Sequence, residues 1–133
     1  MNSATSRWPL VFAGLSAALA VFLAAGAAHD LKQWLGTEEL ARIHTAVRYQ
    51  VWHALALLGT AALTAVKPTA WLRVAAYGFA LGSVLFCGGL YMMSFTGIAI
   101  FGWLAPLGGL AFLTGWLALA GHAVAREAFL AGE

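Results

Sequence analysis

Charged side chains are scarce in this sequence. Seven basic and five acidic residues make up 9% of the 133 residues, whereas 62% of the side chains are hydrophobic. A globular fold exposed to water needs a far more polar surface, so this composition excludes a soluble protein and indicates an integral membrane protein. The few basic residues are scattered among several segments, which excludes nucleic acid as a partner.

Cysteine and catalytic motifs are nearly absent as well. The single cysteine, Cys87, lies in an apolar run, so neither a disulfide framework nor a thiolate metal site can form. No serine lies in a Gly-x-Ser-x-Gly turn, and the carboxylates are confined to loops and the carboxyl-terminal tail. We therefore expect no catalytic residue and no metal site.

Long apolar runs are what the sequence has instead. Each approaches the ~20 residues that a helix needs to cross the hydrocarbon core. They predict an all-α integral membrane four-helix bundle, formed as a single transmembrane domain over residues 1–133, with spans at 8–28, 49–66, 71–93 and 104–122. Ala25-Gly26-Ala27 resembles a signal-peptide cleavage site, but the first run exceeds the usual ~7 to 15 residues of a signal core.

The connector between the first and second spans, residues 29–48, holds most of the charge. Glu38 and Glu39 follow the break at Gly36 and suit the start of a helix, where the helix dipole favours negative charge. The apolar residues that follow recur at steps of three and four, as on one face of a helix: Leu40, Ile43 and Val47. The pattern predicts an amphipathic helix that lies at the membrane interface or leads directly into the second span.

Glycines recur in the third and fourth spans at positions suited to close helix packing. The spacing Gly78-x-x-x-Gly82 lets two backbones approach, and the neighbour could belong to this chain or to a second copy. The predicted helix-packing residues are Gly78, Gly82, Gly89, Gly108 and Gly115.

Polar residues gather where the first span ends and the second begins. If these two helices pack antiparallel, their polar side chains meet at similar depth in the bundle, because such groups are unfavourable against lipid. We expect a small polar pocket roofed by the charged connector. The candidate residues are His29, Asp30, Arg48, Tyr49, Gln50 and His53.

Several chemistries would fit such a pocket. His29 and His53 could ligate a haem, and with Asp30 they could ligate a metal, but no ligand pair at fixed spacing favours either, so no cofactor is expected. The pocket could hold a small molecule, a lipid or a quinone headgroup, or it could pass a proton or solute. In the alternative interpretation, the buried polar side chains bond one another and fix the helix register.

Several motifs resemble a known family. Their sequences are Gly-Ala-Ala-His-Asp-Leu-Lys at 26–32, TAVRYQVWHALALL at 45–58, Leu-Phe-Cys-Gly-Gly-Leu-Tyr at 85–91 and Pro-Leu-Gly-Gly at 106–109. They are similar to the small bacterial membrane family typified by YgdD, a domain of unknown function that is itself similar to mitochondrial transmembrane protein 256. The resemblance implies four transmembrane helices with a retained first span, and it supplies no reaction or substrate. Asp30 departs from the family, which usually has Ala or Gly after this histidine.

Together these patterns predict a non-enzymatic accessory or assembly protein of the bacterial cytoplasmic (inner) membrane. A binding or transport protein with a pocket around His53 is the alternative. Expected partners are membrane lipids, another membrane protein or further copies of the chain. Basic residues slightly favour cytoplasmic termini: Arg7, Lys67, Arg73 and Arg126 lie on the terminal side, and Lys32, Arg42 and Arg48 lie opposite.

Overall fold

The computed structural model describes residues 7–132, with Leu130 described by its backbone alone. Within this range helices are the only regular secondary structure, and four helical segments are long and apolar enough to cross a membrane. The predicted all-α membrane fold is therefore confirmed. The helices are α1 (Trp8–Ala28), α2 (Thr37–Val66), α3 (Ala70–Gly82), α4 (Gly88–Thr96) and α5 (Leu104–Ala131).

The third span is interrupted near its middle. A π-helical turn, Ser83–Cys87, joins α3 to α4 without ending the helix, so that the whole span covers Ala70–Thr96. Thr69 begins this span by accepting a hydrogen bond from the Leu72 N–H (3.3 Å). Gly97 ends it with a φ of 69°, a left-handed conformation that glycine adopts without strain.

The charged connector is partly a short turn and partly the start of the second helix. A short 3₁₀ turn, Leu31–Gln33, follows α1, and α2 then begins at Thr37 and continues unbroken through the second span. No glycine or proline interrupts the sequence from Thr37 to Leu58, and Arg42 bonds Glu38 (3.2 Å) on the first turns. The amphipathic segment thus leads directly into the span, which is the second of the two predicted arrangements.

The fourth helix is longer than its predicted span. Helix α5 starts at Leu104, after the 3₁₀ turn Ala99–Trp103, and runs on to Ala131 rather than ending near 122. The polar tail around Arg126 contains no proline or glycine before Gly132, so nothing in it stops the helix. At about 1.5 Å per residue, α5 is long enough to project beyond the hydrocarbon core.

Two helix pairs form the body of the bundle. Helix α1 packs chiefly on α2, α3 packs chiefly on α5, and α2 joins the two pairs through its contacts with the third span. The interior is built largely from small residues, including Ala20, Ala46 and Ala75, with Phe79 and Leu57 as larger buried side chains. Large apolar side chains cover the outside, as a bilayer requires.

Glycine makes the close contact between the third and fourth spans possible. A Cβ added at Gly78 would lie 2.8 Å from both the Ala111 carbonyl oxygen and Gly115 Cα, which is too close for any side chain. At Gly108 an added Cβ would meet the backbone of Phe86 inside the π-helical turn. A Cβ added at the other three predicted glycines would also meet a phenylalanine: Phe112 at Gly82, Phe101 at Gly89 and Phe79 at Gly115. All five glycines therefore face neighbours in the same chain.

Candidate functional site

The six candidate residues are divided among different surroundings. Gln50 and His53 are buried, with 4% of each residue exposed, and Tyr49 is partly buried. His29, Asp30 and Arg48 are exposed, and their side chains make no hydrogen bond or ion pair with any residue that the structure describes. Successive helical residues are rotated by about 100°, so neighbours such as Arg48 and Gln50 cannot share one face. No hydrogen-bonded cluster joins all six.

His53 is fixed by two hydrogen bonds. The Trp116 Nε1–H group of α5 donates to His53 Nε2 (3.1 Å), and His53 Nδ1 lies 2.7 Å from the Tyr49 carbonyl oxygen. Because an indole N–H can only donate, Nε2 must accept, and Nδ1 therefore carries the proton that it donates to Tyr49. Both ring nitrogens are occupied, so a metal or haem could bind His53 only after one of these bonds broke.

Aromatic rings enclose the same imidazole. The Phe112 ring stacks on it with centroids 3.4 Å apart and planes 11° apart. Phe79 lies on another side, with centroids 5.8 Å apart, and the Trp116 ring meets the imidazole edge-on. The His53 cluster, defined as His53, Tyr49, Phe79, Phe112 and Trp116, thus ties α2 to both α3 and α5.

Gln50 forms a second polar centre. Its Nε2 donates to the Ser16 carbonyl oxygen (3.0 Å) and lies 3.2 Å from Ser16 Oγ. The Tyr91 hydroxyl donates to Gln50 Oε1 (2.6 Å). The Gln50 cluster, defined as Gln50, Ser16 and Tyr91, therefore joins α1, α2 and α4 and satisfies both ends of the buried amide.

The partners of these two residues were missed by sequence reasoning. Ser16, Tyr91 and Trp116 lie in three different spans, and none is close in sequence to the polar edge of α2. A signal was present, because serine, tyrosine and tryptophan within a span each carry a donor that needs a partner away from lipid. Sequence alone does not pair them, since pairing depends on the relative rotation of the helices.

A cavity of about 360 Å³ adjoins the Gln50 cluster. It lies between α1 and the third span, beside the π-helical turn, and its wall is almost wholly apolar. Its lining includes Leu15, Leu19, Ser83, Cys87 and Gly88. A cavity of this size and polarity is suited to an apolar group rather than to a charged one.

No group of three or more His, Cys, Asp or Glu side chains within residues 7–132 is placed to hold a metal ion. The carboxylates of Glu38 and Glu39 instead pair with Arg42 on the first turns of α2 (3.2 and 3.6 Å). These pairs are exposed or partly exposed, so they add little to stability.

The comparisons with known proteins agree on one family. The family model described as "Protein of unknown function (DUF423)" matches residues 23–109. The chain is 38% identical over 112 residues to the UPF0382 inner membrane protein YgdD of Escherichia coli (strain K12), covering 84% of this chain and 86% of that protein. It is 37% identical over 122 residues to the UPF0382 membrane protein YwdK of Bacillus subtilis (strain 168), and the match covers 86% of this chain and 94% of that protein. No solved structure matches the chain significantly.

Proposed function

This chain belongs to the DUF423 family of membrane proteins, and from that premise we propose that it is a non-enzymatic accessory or assembly protein of the cytoplasmic membrane. The proposal rests on how the buried polar groups are bonded. Within residues 7–132, every buried side-chain nitrogen or oxygen has a hydrogen-bond partner inside the protein. A catalytic or conducting interior needs donors or acceptors that are available to a substrate, whereas a structural interior uses them to hold helices together.

The polar groups of the other spans support the same function. Ser83 Oγ donates to the Phe79 carbonyl oxygen (2.9 Å), and Thr114 Oγ1 donates to the Leu110 carbonyl oxygen (2.9 Å). Each hydroxyl is thus used within its own helix. A transport pathway would need polar groups that continue across the bilayer and remain available to the solute.

Native mass spectrometry of gently extracted protein tests this proposal, with the wild type measured beside His53→Ala. We expect the variant to unfold more easily and both proteins to carry the same bound masses, whether lipid, further copies or another protein. A defined small molecule present in the wild type and absent from a still-folded variant would instead support a ligand pocket around His53.

The cavity beside the Gln50 cluster supports a second candidate function, the binding of a small apolar molecule. Gly88 lines this cavity, and an added Cβ there would meet no atom within 4 Å. The variant Gly88→Leu should therefore fill the cavity without disturbing the fold. Gly59→Leu is a matched control, because an added Cβ at this exposed position of α2 also meets nothing within 4 Å. Loss of a bound molecule in Gly88→Leu alone would favour this candidate, and unchanged masses in both would reject it.

A further inference from the structure

A basic recess lies at the end of the bundle that carries the turn between α2 and α3. It is a cavity of about 130 Å³ between this turn and the last part of α5. A water molecule occupies about 30 Å³ in the liquid, so the recess has room for a small headgroup fragment rather than for a whole lipid. The basic recess is lined by Lys67, Thr69, Trp71, His122, Ala125, Arg126 and Phe129.

Two cations from different elements line this recess. The Lys67 ammonium lies 5.3 Å from the centroid of the Phe129 ring, which keeps the side chain over α5. Arg126 approaches from α5 itself. Within residues 7–132, no carboxylate lies within 4.0 Å of either cation, and the neighbouring Glu127 lines the adjoining groove. Both cations are exposed to an anionic group arriving from the membrane surface.

Thr69 and His122 add further hydrogen-bonding groups. Thr69 Oγ1 accepts from the Leu72 N–H (3.3 Å) and lies 3.1 Å from His122 Nδ1. When the threonine hydroxyl donates its proton to Nδ1, the imidazole carries its own proton on Nε2. His122 then offers a further N–H donor beside Lys67 and Arg126. Phosphate oxygens accept hydrogen bonds, so each such donor favours a phosphate group.

An apolar groove continues from the recess toward the bilayer centre. Its volume is about 440 Å³, and it shares His122 and Arg126 with the recess. Leu63 and Leu119 form its deeper part. They precede Lys67 and Arg126 by four and seven residues, which places them roughly 6 and 10 Å deeper along their helices. A hydrocarbon chain whose headgroup occupied the recess would meet these two leucines.

We propose that the recess and the groove together bind one anionic phospholipid. The phosphate lies against Lys67, Arg126 and His122, and an acyl chain lies along Leu63 and Leu119. Basic recesses between transmembrane helices are suited to anionic headgroups, since the membrane surface supplies such lipids at high local concentration. This site is separate from the His53 and Gln50 clusters, so it stands independently of the proposed function.

Native mass spectrometry with phosphatidylglycerol and phosphatidylcholine in equal amounts tests the site. We expect the wild type to retain one phosphatidylglycerol preferentially and the double variant Lys67→Gln/Arg126→Gln to retain about tenfold less. The control Lys32→Gln/Arg48→Gln removes the same charge from the opposite end of the bundle and should leave retention unchanged. Equal losses in the two double variants, or no loss in the first, would overturn the proposal.

A second variant keeps both cations and tests the groove. Leu119→Trp should occupy the path of the acyl chain and lower phosphatidylglycerol retention, whereas Leu113→Trp, on the exposed face of the same helix, should not. Unchanged retention in Leu119→Trp would contradict the lipid assignment. Displacement of the bound lipid by millimolar inorganic phosphate would also contradict it, because it would indicate a site for a free anion without an acyl chain.

Discussion

Gln50 connects three of the four spans through a single buried side chain. Its amide nitrogen reaches Ser16 on α1 and its amide oxygen receives the Tyr91 hydroxyl of α4. Each bond between transmembrane helices contributes only about 0.6 kcal/mol on average, because the separated helices also find partners for their polar groups. Gln50 therefore contributes by bonding two other helices at once, and its removal leaves the Tyr91 hydroxyl without its acceptor.

Replacing Gln50 with leucine should destabilise the protein by roughly 1 to 3 kcal/mol, because Tyr91 Oη loses its buried acceptor. Reversible unfolding in detergent micelles measures this free energy. Gln33→Leu is the control, since Gln33 is exposed on the first 3₁₀ turn and should change the stability by less than about 0.5 kcal/mol. Equal effects of the two substitutions would contradict the role given to Gln50.

The sequence identifies which polar residues must be buried but not their partners. Gln50 and His53 were predicted to face the bundle interior, and both do. The sequence pattern also places His29 and Asp30 beside them, at the matching end of α1, yet the helix ends there and leaves both exposed. Helical periodicity fixes the direction of a side chain, whereas contact also requires the packing of a second helix.

The elements of the bundle meet most tightly where α3 and α5 cross. Gly78 and Gly115 face each other across this crossing, and Gly108 lies directly against the backbone of Phe86 in the π-helical turn. Such close approach increases van der Waals contact, which is a main source of helix association in lipid. Phe86, whose backbone lies against Gly108, belongs to the π-helical turn, so this irregularity is part of the contact.

Gly78→Ala should weaken this crossing by about 1 to 3 kcal/mol, because the new methyl group would lie 2.8 Å from backbone atoms of α5 that cannot rotate away. Thermal unfolding in micelles provides the measurement. The same change at Gly59, where an added Cβ meets nothing within 4 Å, should be neutral or stabilising by up to about 1 kcal/mol. A stabilised Gly78→Ala variant would show that the two helices do not cross at this point.

Element type was predictable, whereas some element boundaries were not. Long apolar runs predicted four membrane helices because length and hydropathy are local properties of the chain. The start of α2 at Thr37 was harder to place, since an amphipathic helix can lie on a membrane or join a span with the same sequence pattern. The π-helical turn, Ser83–Cys87, could not be predicted because its residues are as apolar as those of the helix on either side.

At the level of the whole bundle, residues 7–132 contain four candidate spans, and an even number of crossings places both ends of the described chain on one side of the membrane. The turn at Lys67 and the end of α5 share this side, where the basic recess forms. The 3₁₀ turns that precede α2 and α5 lie on the other side, and there Ser94 Oγ donates to the Glu39 carbonyl oxygen (3.2 Å). Because the terminal side carries four basic residues against three on the other side, we expect it to face the cytoplasm by the positive-inside rule.

Cysteine labelling in intact cells tests this orientation. A cysteine at Gln33 should react with a membrane-impermeant maleimide, and a cysteine at Ala128 should react only after the cells are opened. The native Cys87 is buried and should add little background. The reverse pattern would place the termini outside and would assign the basic recess to the outer leaflet.

If the buried polar side chains hold the helices together, His53 and Trp116 must be energetically coupled in the folded protein. A double-mutant cycle with His53→Ala, Trp116→Phe and both changes would measure the free energy of unfolding in micelles. The hydrogen bond of 3.1 Å between the two rings predicts a coupling on the order of 1 kcal/mol. Additive effects would show that the two groups do not interact in the folded protein and would contradict the structural role assigned to His53.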